Sequence, residues 1–220
     1  ASWPSYDPNR FSKGISSKDW NEIINNKNHP MQNRTIASSY PPGSLFKVVT
    51  GATALEAKAV TPEERIFDSG KHWIVDKRNA QGEAFGWINF YEALAKSDNV
   101  YFYELGRRVG IDKISHMAEE FGLGKPTGID LEGEADGNVA SEAYKKKVFE
   151  QDWYLGETMD AAIGQSFNLT TPIQMAMVYA AIANGGYKYQ PYLVSRIDNL
   201  DGTPQKIYSP NKLGTLPISQ

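Results

Sequence analysis

The stretch from Ser44 to Glu56 constrains the fold more than any other part of this sequence. Leu45, Phe46, Val48, Val49, Ala52 and Leu55 fall around most of a helical circumference. The helix they predict has little polar face to turn to water, so other elements must enclose it. A chain of 220 residues with 40% hydrophobic content can supply that enclosure as one large domain, or as a domain with a small appendage. The helix is entered through the turn Tyr40-Pro41-Pro42-Gly43, and Lys47 stands three positions after Ser44. A lysine is out of place there, because the first turn of a helix already presents partial positive charge.

The remaining punctuation predicts a helical middle with strands at its ends. Residues 88–96 and 100–109 read as two helices meeting at Ser97-Asp98-Asn99, and residues 112–121 as a third, stopped by Gly122. Thr171 as cap, Pro172 in the first turn, an apolar run to Ile182 and Gly185 beyond it mark a further helix. PYLVSRIDN and QKIYS alternate in polarity on either side of Asp201-Gly202, which predicts a β-hairpin. The segment from Gly128 to Trp153, with its glycines and acids, reads as an irregular excursion, and its run Lys145 to Lys147 as a solvated face. No internal repeat or low-complexity tract is present.

Bulk properties remove several function classes. The formal net charge of -3, from 23 basic and 26 acidic residues, supplies no positive field for a polyanion and argues against nucleic acid as a partner. With no cysteine, disulfides, thiolate nucleophiles and thiolate zinc sites are all ruled out, while the redox compartment stays open. No run of about eighteen apolar residues is present, and the opening ASWPSYDPNRF lacks the regions of a signal peptide.

Ser44 and Lys47 make chemical sense together. At about 100° and 1.5 Å per residue they lie roughly 60° apart and one turn along the axis, so a hydroxyl and an amine can face one cleft. A serine hydroxyl is a weak nucleophile until a base takes its proton, and an amine can do so only when unprotonated. Burial and the helix dipole both disfavour the ammonium and bring its pKa toward the working range. An isolated Ser-x-x-Lys is nevertheless more often a helix cap behind a turn. The second element is Ser97-Asp98-Asn99, which follows Ser44 by 53 residues at a helix joint. A serine there can relay a proton between the lysine and a leaving amine, and the Asn99 amide offers a donor and an acceptor to a peptide bond. Such residues are also ordinary caps, so the ordered pair at this separation is the stronger signal.

Ser44-x-x-Lys47 followed by Ser97-x-Asn99 resembles the motif set of the penicillin-recognising serine transpeptidases. YPPGSLFK, SDNVYFYELG, FGLGKPTGIDLEGE and IGQSFNLTTPIQMA extend the likeness over nearly the whole chain, to class B penicillin-binding proteins of the elongation-type penicillin-binding protein 2 group. The resemblance implies an α+β transpeptidase fold, akin to serine β-lactamases, with a helical subdomain beside an antiparallel five-stranded sheet. It implies a serine that attacks the D-Ala-D-Ala peptide of a cell-wall stem, expels the terminal D-alanine and passes the acyl group to an amine on a neighbouring strand. β-Lactam antibiotics acylate the same serine in that family. Carried over by residue, Ser44 is the nucleophile, Lys47 the general base, Ser97 the proton relay and Asn99 a substrate-orienting group. The backbone N–H of Ser44 would form half of the oxyanion hole. The resemblance further implies a glycan-polymerising membrane partner for the full-length protein and no cofactor. It places the domain on the outer face of the bacterial cytoplasmic membrane, as the periplasmic part of a membrane-anchored protein.

One departure is serious, since the family's Lys-Thr-Gly or Lys-Ser-Gly strand is not found. Lys125-Pro126-Thr127-Gly128 is a decoy, its proline interrupting the motif after a helix end. Residues 1–220 therefore read as a partial transpeptidase domain of a larger enzyme, with a helical core over 44–186, strand segments near 1–11 and 191–208, and the C-terminal strands missing from this chain. By itself it is expected to be a poor catalyst. A D,D-carboxypeptidase or β-lactamase-like hydrolase and a non-catalytic β-lactam-binding sensor are the alternatives.

No metal ligand is assigned. His29, His72 and His116 show no ligand spacing. Some members of the resembled family hold zinc between the two serine motifs with carboxylates, a histidine and a cysteine; here Asp98 stands at the cysteine position and Phe85 where the histidine is expected. Asp68, His72 and Asp76 are the nearest to a cation set.

Overall fold

The computed structural model describes residues 2–219. Its helices are α1 (Ser17–Ile24), α2 (Arg34–Ala37), α3 (Lys47–Glu56), α4 (Phe90–Lys96), α5 (Asn99–Val109), α6 (Ile111–Glu120), α7 (Glu142–Phe149), α8 (Leu155–Ala162) and α9 (Pro172–Ala183). The strands are short: β1 (Ile66–Asp68), β2 (Gly86–Ile88), β3 (Tyr187–Tyr189), β4 (Arg196–Asp198), β5 (Pro204–Ile207) and β6 (Lys212–Thr215).

As its sequence requires, α3 lies at the centre. It packs against α5 and α6, and α5 packs in turn against α8. Phe46 and Val49 meet Tyr101, Phe102 and Leu105 of α5, Ile114 of α6 and Val178 of α9 in one apolar core. Each such side chain contributes about 1.5–3 kcal/mol by leaving water. Gly106 allows α5 and α8 to approach closely, because a Cβ there would lie 2.6 Å from the Ala162 Cβ. Across the same layer the Thr50 hydroxyl donates to the Ala162 carbonyl at 2.7 Å. The boundaries follow local chemistry. Thr171 and Gln174 form a reciprocal capping box at α9 with Pro172 in its first turn, and Asn89 and Glu92 do the same at α4.

The strands lie beside this helical body as three two-stranded antiparallel sheets, β1 with β2, β3 with β6 and β4 with β5. The hairpin predicted around Asp201-Gly202 is the β4–β5 pair, with Arg196 opposite Ile207. A five-stranded sheet is not assembled among the described residues, where each strand has three or four residues and one partner.

Two expectations are corrected. The strand segment expected near residues 1–11 is absent from residues 2–11, and residue 1 lies outside the described residues. Pro4 and Pro8 lack the N–H groups a ladder needs, and Pro8–Phe11 instead forms a 3-10 turn capped by the Asp7 carboxylate. The excursion from 128 to 153 contains α7, capped by Ser141 with Glu142 in its first turn and Lys146 and Lys147 in its last. Lys145 is buried, not solvated. Its ammonium meets Glu157 at 2.6 Å and lies 4.6 Å from the centre of the Tyr154 ring. Opposite charge and an aromatic face compensate its loss of water.

Candidate active site

Ser44 lies in a 3-10 turn, Gly43–Phe46, and the α-helix begins only at Lys47. This departs from the α-helical first turn expected. A 3-10 turn sets side chains at i and i+3 nearer to one line than an α-turn does. The turn is held from outside. The Gly43 N–H donates to the Gly164 carbonyl at 2.9 Å, the Tyr179 hydroxyl donates to the Leu45 carbonyl at 3.2 Å, and Tyr40 forms an antiparallel bridge with Thr170. Gly164 has φ +72°, and a Cβ on it would overlap the Gly43 carbonyl oxygen and lie 2.7 Å from the Phe46 Cβ. Its role was missed by sequence reasoning, because its contacts lie more than a hundred residues away.

Lys47 is buried and reaches across to the joint between α4 and α5. Its nitrogen donates to the Ser97 carbonyl at 2.5 Å, the Ser97 Oγ at 3.0 Å and the Asn99 Oδ1 at 2.8 Å. The Ser97 hydroxyl in turn donates to the Ser44 Oγ at 2.9 Å. Among the described residues, the hydrogen bonds therefore join Lys47 to Ser44 through Ser97. All four residues expected at the site lie within one hydrogen-bonded group. Ser97 adopts a left-handed conformation, φ 56°, ψ 40°, as it closes α4, and this turns both its carbonyl and its hydroxyl toward Lys47.

Burial lowers the Lys47 pKa to about 8, against an opposing pull from the Asp98 carboxylate. Near pH 7 roughly a tenth of such amines are neutral, against roughly one in three thousand for an ordinary lysine. Asp98 does not enter the cluster. It caps α5 through the Tyr101 N–H at 2.9 Å, and burial, with Asp68 close by, raises its own pKa to about 6. Two hydroxyls and a titratable amine in series can pass a proton along the chain from Ser44 to Lys47 and back.

The residues nearest to a cation set serve other purposes. Asp68 accepts from the Gly70 N–H at 2.6 Å, the Asn79 amide at 2.9 Å and the Phe85 N–H at 2.9 Å. His72 is buried against Glu104 at 3.3 Å, and exposed Asp76 pairs with Lys71 and Arg78. No group of three or more potential ligands gathers among the described residues. With Asp98 and Phe85 at the positions of sulfur and imidazole, this donor set does not fit the zinc of the resembled family. Lys125-Pro126-Thr127-Gly128 forms a loop in which Glu134 accepts from the Thr127 hydroxyl at 2.5 Å and from the Gly128 N–H at 2.8 Å.

Comparison with known proteins decides the family. The family model described as the penicillin binding protein transpeptidase domain matches residues 1–220. The chain belongs to this transpeptidase family. Peptidoglycan D,D-transpeptidase MrdA from Salmonella typhimurium is 36% identical over 95% of this chain and 36% of its own length. Pseudomonas aeruginosa PBP2, in a crystal structure with WCK 5153, superposes with a TM-score of 0.87 at 35% identity, over all of this chain and 50% of that one. Penicillin-binding protein A from M. tuberculosis, solved as an imipenem acyl-enzyme complex, gives a TM-score of 0.82 at 29% identity, over 98% of this chain and 49% of that one. The transpeptidase relatives are thus of the penicillin-binding protein 2 type, and this chain has the expected helical subdomain beside small antiparallel sheets. The chain spans about a third of the length of the curated transpeptidases it matches.

Proposed function

We propose that the protein is a peptidoglycan D,D-transpeptidase that cross-links stem peptides through an acyl-enzyme on Ser44. The observation that carries this reading is the series from Lys47 Nζ to Ser97 Oγ at 3.0 Å and from Ser97 Oγ to Ser44 Oγ at 2.9 Å. As the neutral Lys47 amine takes the Ser44 proton through Ser97, Ser44 Oγ bonds to the carbonyl carbon of the penultimate D-alanine. When the tetrahedral adduct collapses, the C–N bond breaks, and the proton passes back through Ser97 to the departing amine of the terminal D-alanine. An amine from a neighbouring stem then attacks the ester carbonyl and gives a proton to Lys47; the C–O bond to Ser44 breaks, and that proton passes through Ser97 to the Ser44 oxygen, restoring its hydroxyl. Asn99 orients the substrate amide, and the Ser44 N–H faces the oxyanion.

β-Lactams are proposed to acylate the same serine, a reading supported by the imipenem acyl-enzyme of the M. tuberculosis relative. The similarity to penicillin-binding protein 2 supports a glycan-polymerising membrane partner and a place outside the cytoplasmic membrane. No helix among the described residues is long and apolar enough to cross a membrane. The helical body over 44–186 holds the acylating residues in this reading of the domain. The test is covalent labelling of the intact protein by a fluorescent penicillin. One label per chain, lost in Ser44→Ala, is expected; labelling that persists in Ser44→Ala overturns the assignment.

A further inference from the structure

Between β1 and β2 the chain makes a loop that contributes no group to the reaction described above. Two contacts pin it to the helical body. His72 lies against Glu104 of α5, and the Lys77 ammonium meets Asp160 of α8 at 2.6 Å. Two residues after Lys77 stands Asn79, which is buried. Its Oδ1 accepts from the backbone N–H of Asn99 at 2.8 Å and of Val100 at 3.2 Å. Its Nδ2 donates to Asp68 Oδ2 at 2.9 Å and to the Glu83 carbonyl at 3.0 Å. Both donors and both acceptor positions of the amide are thereby used.

The first N–H groups of a helix have no partner within it. At α5 the Tyr101 N–H is capped by Asp98, whose carboxylate also faces the Val100 N–H, so it is the Asn99 N–H above all that depends on Asn79. We infer that Asn79 is a positioning residue for acyl transfer: it fixes the start of α5, and with it the Ser97 and Asn99 side chains that meet Lys47. Asp68 holds Asn79 in turn. The Gly70 and Phe85 N–H groups fix the Asp68 carboxylate in the place where it meets the Asn79 amide. Removing Asn79 leaves the Asn99 N–H unpaired, takes one acceptor from the Val100 N–H, and lets the joint at 97–99 shift. Misplacing reacting groups by about 1 Å costs up to about a hundredfold in rate.

This inference rests on the reading of Ser44 as the acylated residue, and the test separates the two. In the intact protein, penicillin acylation yields a rate constant, a half-saturating concentration and a final number of labels per chain. Asn79→Ala is expected to slow the rate constant about tenfold to a hundredfold, with half-saturation within about threefold and the final label still one per chain. Asn79→Ser keeps a small side chain with an accepting oxygen and sets no second carboxylate against Asp68, and is expected to stay within about tenfold of wild type, so it serves where the alanine variant does not fold. A rate constant unchanged in Asn79→Ala overturns the inference. So does a lowered final label with an unchanged rate constant, which is a folding defect alone. An Asn79→Ser variant slowed by more than a hundredfold overturns it as well. Absence of labelling in wild type instead defeats the reading of Ser44.

Discussion

The Lys47 nitrogen lies 3.0 Å from the Ser97 hydroxyl, across the gap between the helix that follows the Ser44 turn and the joint that precedes α5. A buried amine with three oxygen acceptors around it can hold a proton or give one up without moving far. That freedom is what acyl transfer asks of it, since the same group takes a proton in one half of the reaction and returns it in the other.

Replacing Lys47 with methionine removes the titrating group and keeps the apolar stem. Acylation is expected to fall by about a hundredfold to ten-thousandfold. Thermal stability should fall by about 1–3 kcal/mol, because the Ser97 carbonyl and the Asn99 amide oxygen lose the donor they face. Stopped-flow labelling and a thermal melt on the same sample check both parts. A variant that labels at the wild-type rate removes Lys47 from the chemistry.

Gly164→Ala tests the outer support of the serine turn. The added methyl meets the Gly43 carbonyl and the Phe46 Cβ while the backbone is held at positive φ. A loss of about 2–4 kcal/mol in unfolding free energy is expected from the two effects together. Acylation should slow in the fraction that stays folded. Chemical denaturation alongside labelling gives both numbers, and an unchanged stability contradicts the close contact.

Acid should loosen the opposite face of α5. Burial opposes the charge on Glu104, but hydrogen bonds from Arg107, Arg108 and His72 outweigh it and hold the pKa at about 2, below the ordinary 4.5. The carboxylate therefore contributes its stability in full above about pH 4.5 and loses it as pH falls toward 2. Glu104→Gln is expected to cost about 2–3 kcal/mol near neutrality and to flatten the acid limb. Urea denaturation at a series of pH values measures the slope, and an equally steep limb in Glu104→Gln contradicts the assignment.

What could be read from sequence was local. Ser44 and Lys47 are one turn apart, and Ser97 and Asn99 flank a helix start, so residue type and spacing alone draw attention to them. The caps at Thr171 and the turn at Asp201-Gly202 are legible for the same reason. Gly164 and Asn79 carry no such mark, since an ordinary glycine and an ordinary loop asparagine gain their roles from partners distant in sequence. Lys145 misleads in the other direction. A run of three lysines suggests solvent, but helical geometry turns its first member inward to Glu157. The 3-10 entry at Gly43–Phe46 was also hidden, because it depends on the buttressing of that turn by Gly164 and Tyr179.

The most direct test of the account follows two pH curves in the intact protein: the titration of Lys47, observed by NMR of its labelled Cε, and the rate constant of penicillin acylation. Burial places the Lys47 midpoint at about 8, and since only the neutral amine accepts the Ser44 proton, acylation should rise with pH through that same midpoint and level off above it. A Lys47 midpoint near the ordinary 10.5, with acylation already at its full rate at pH 7, would contradict the claim that this amine is the base.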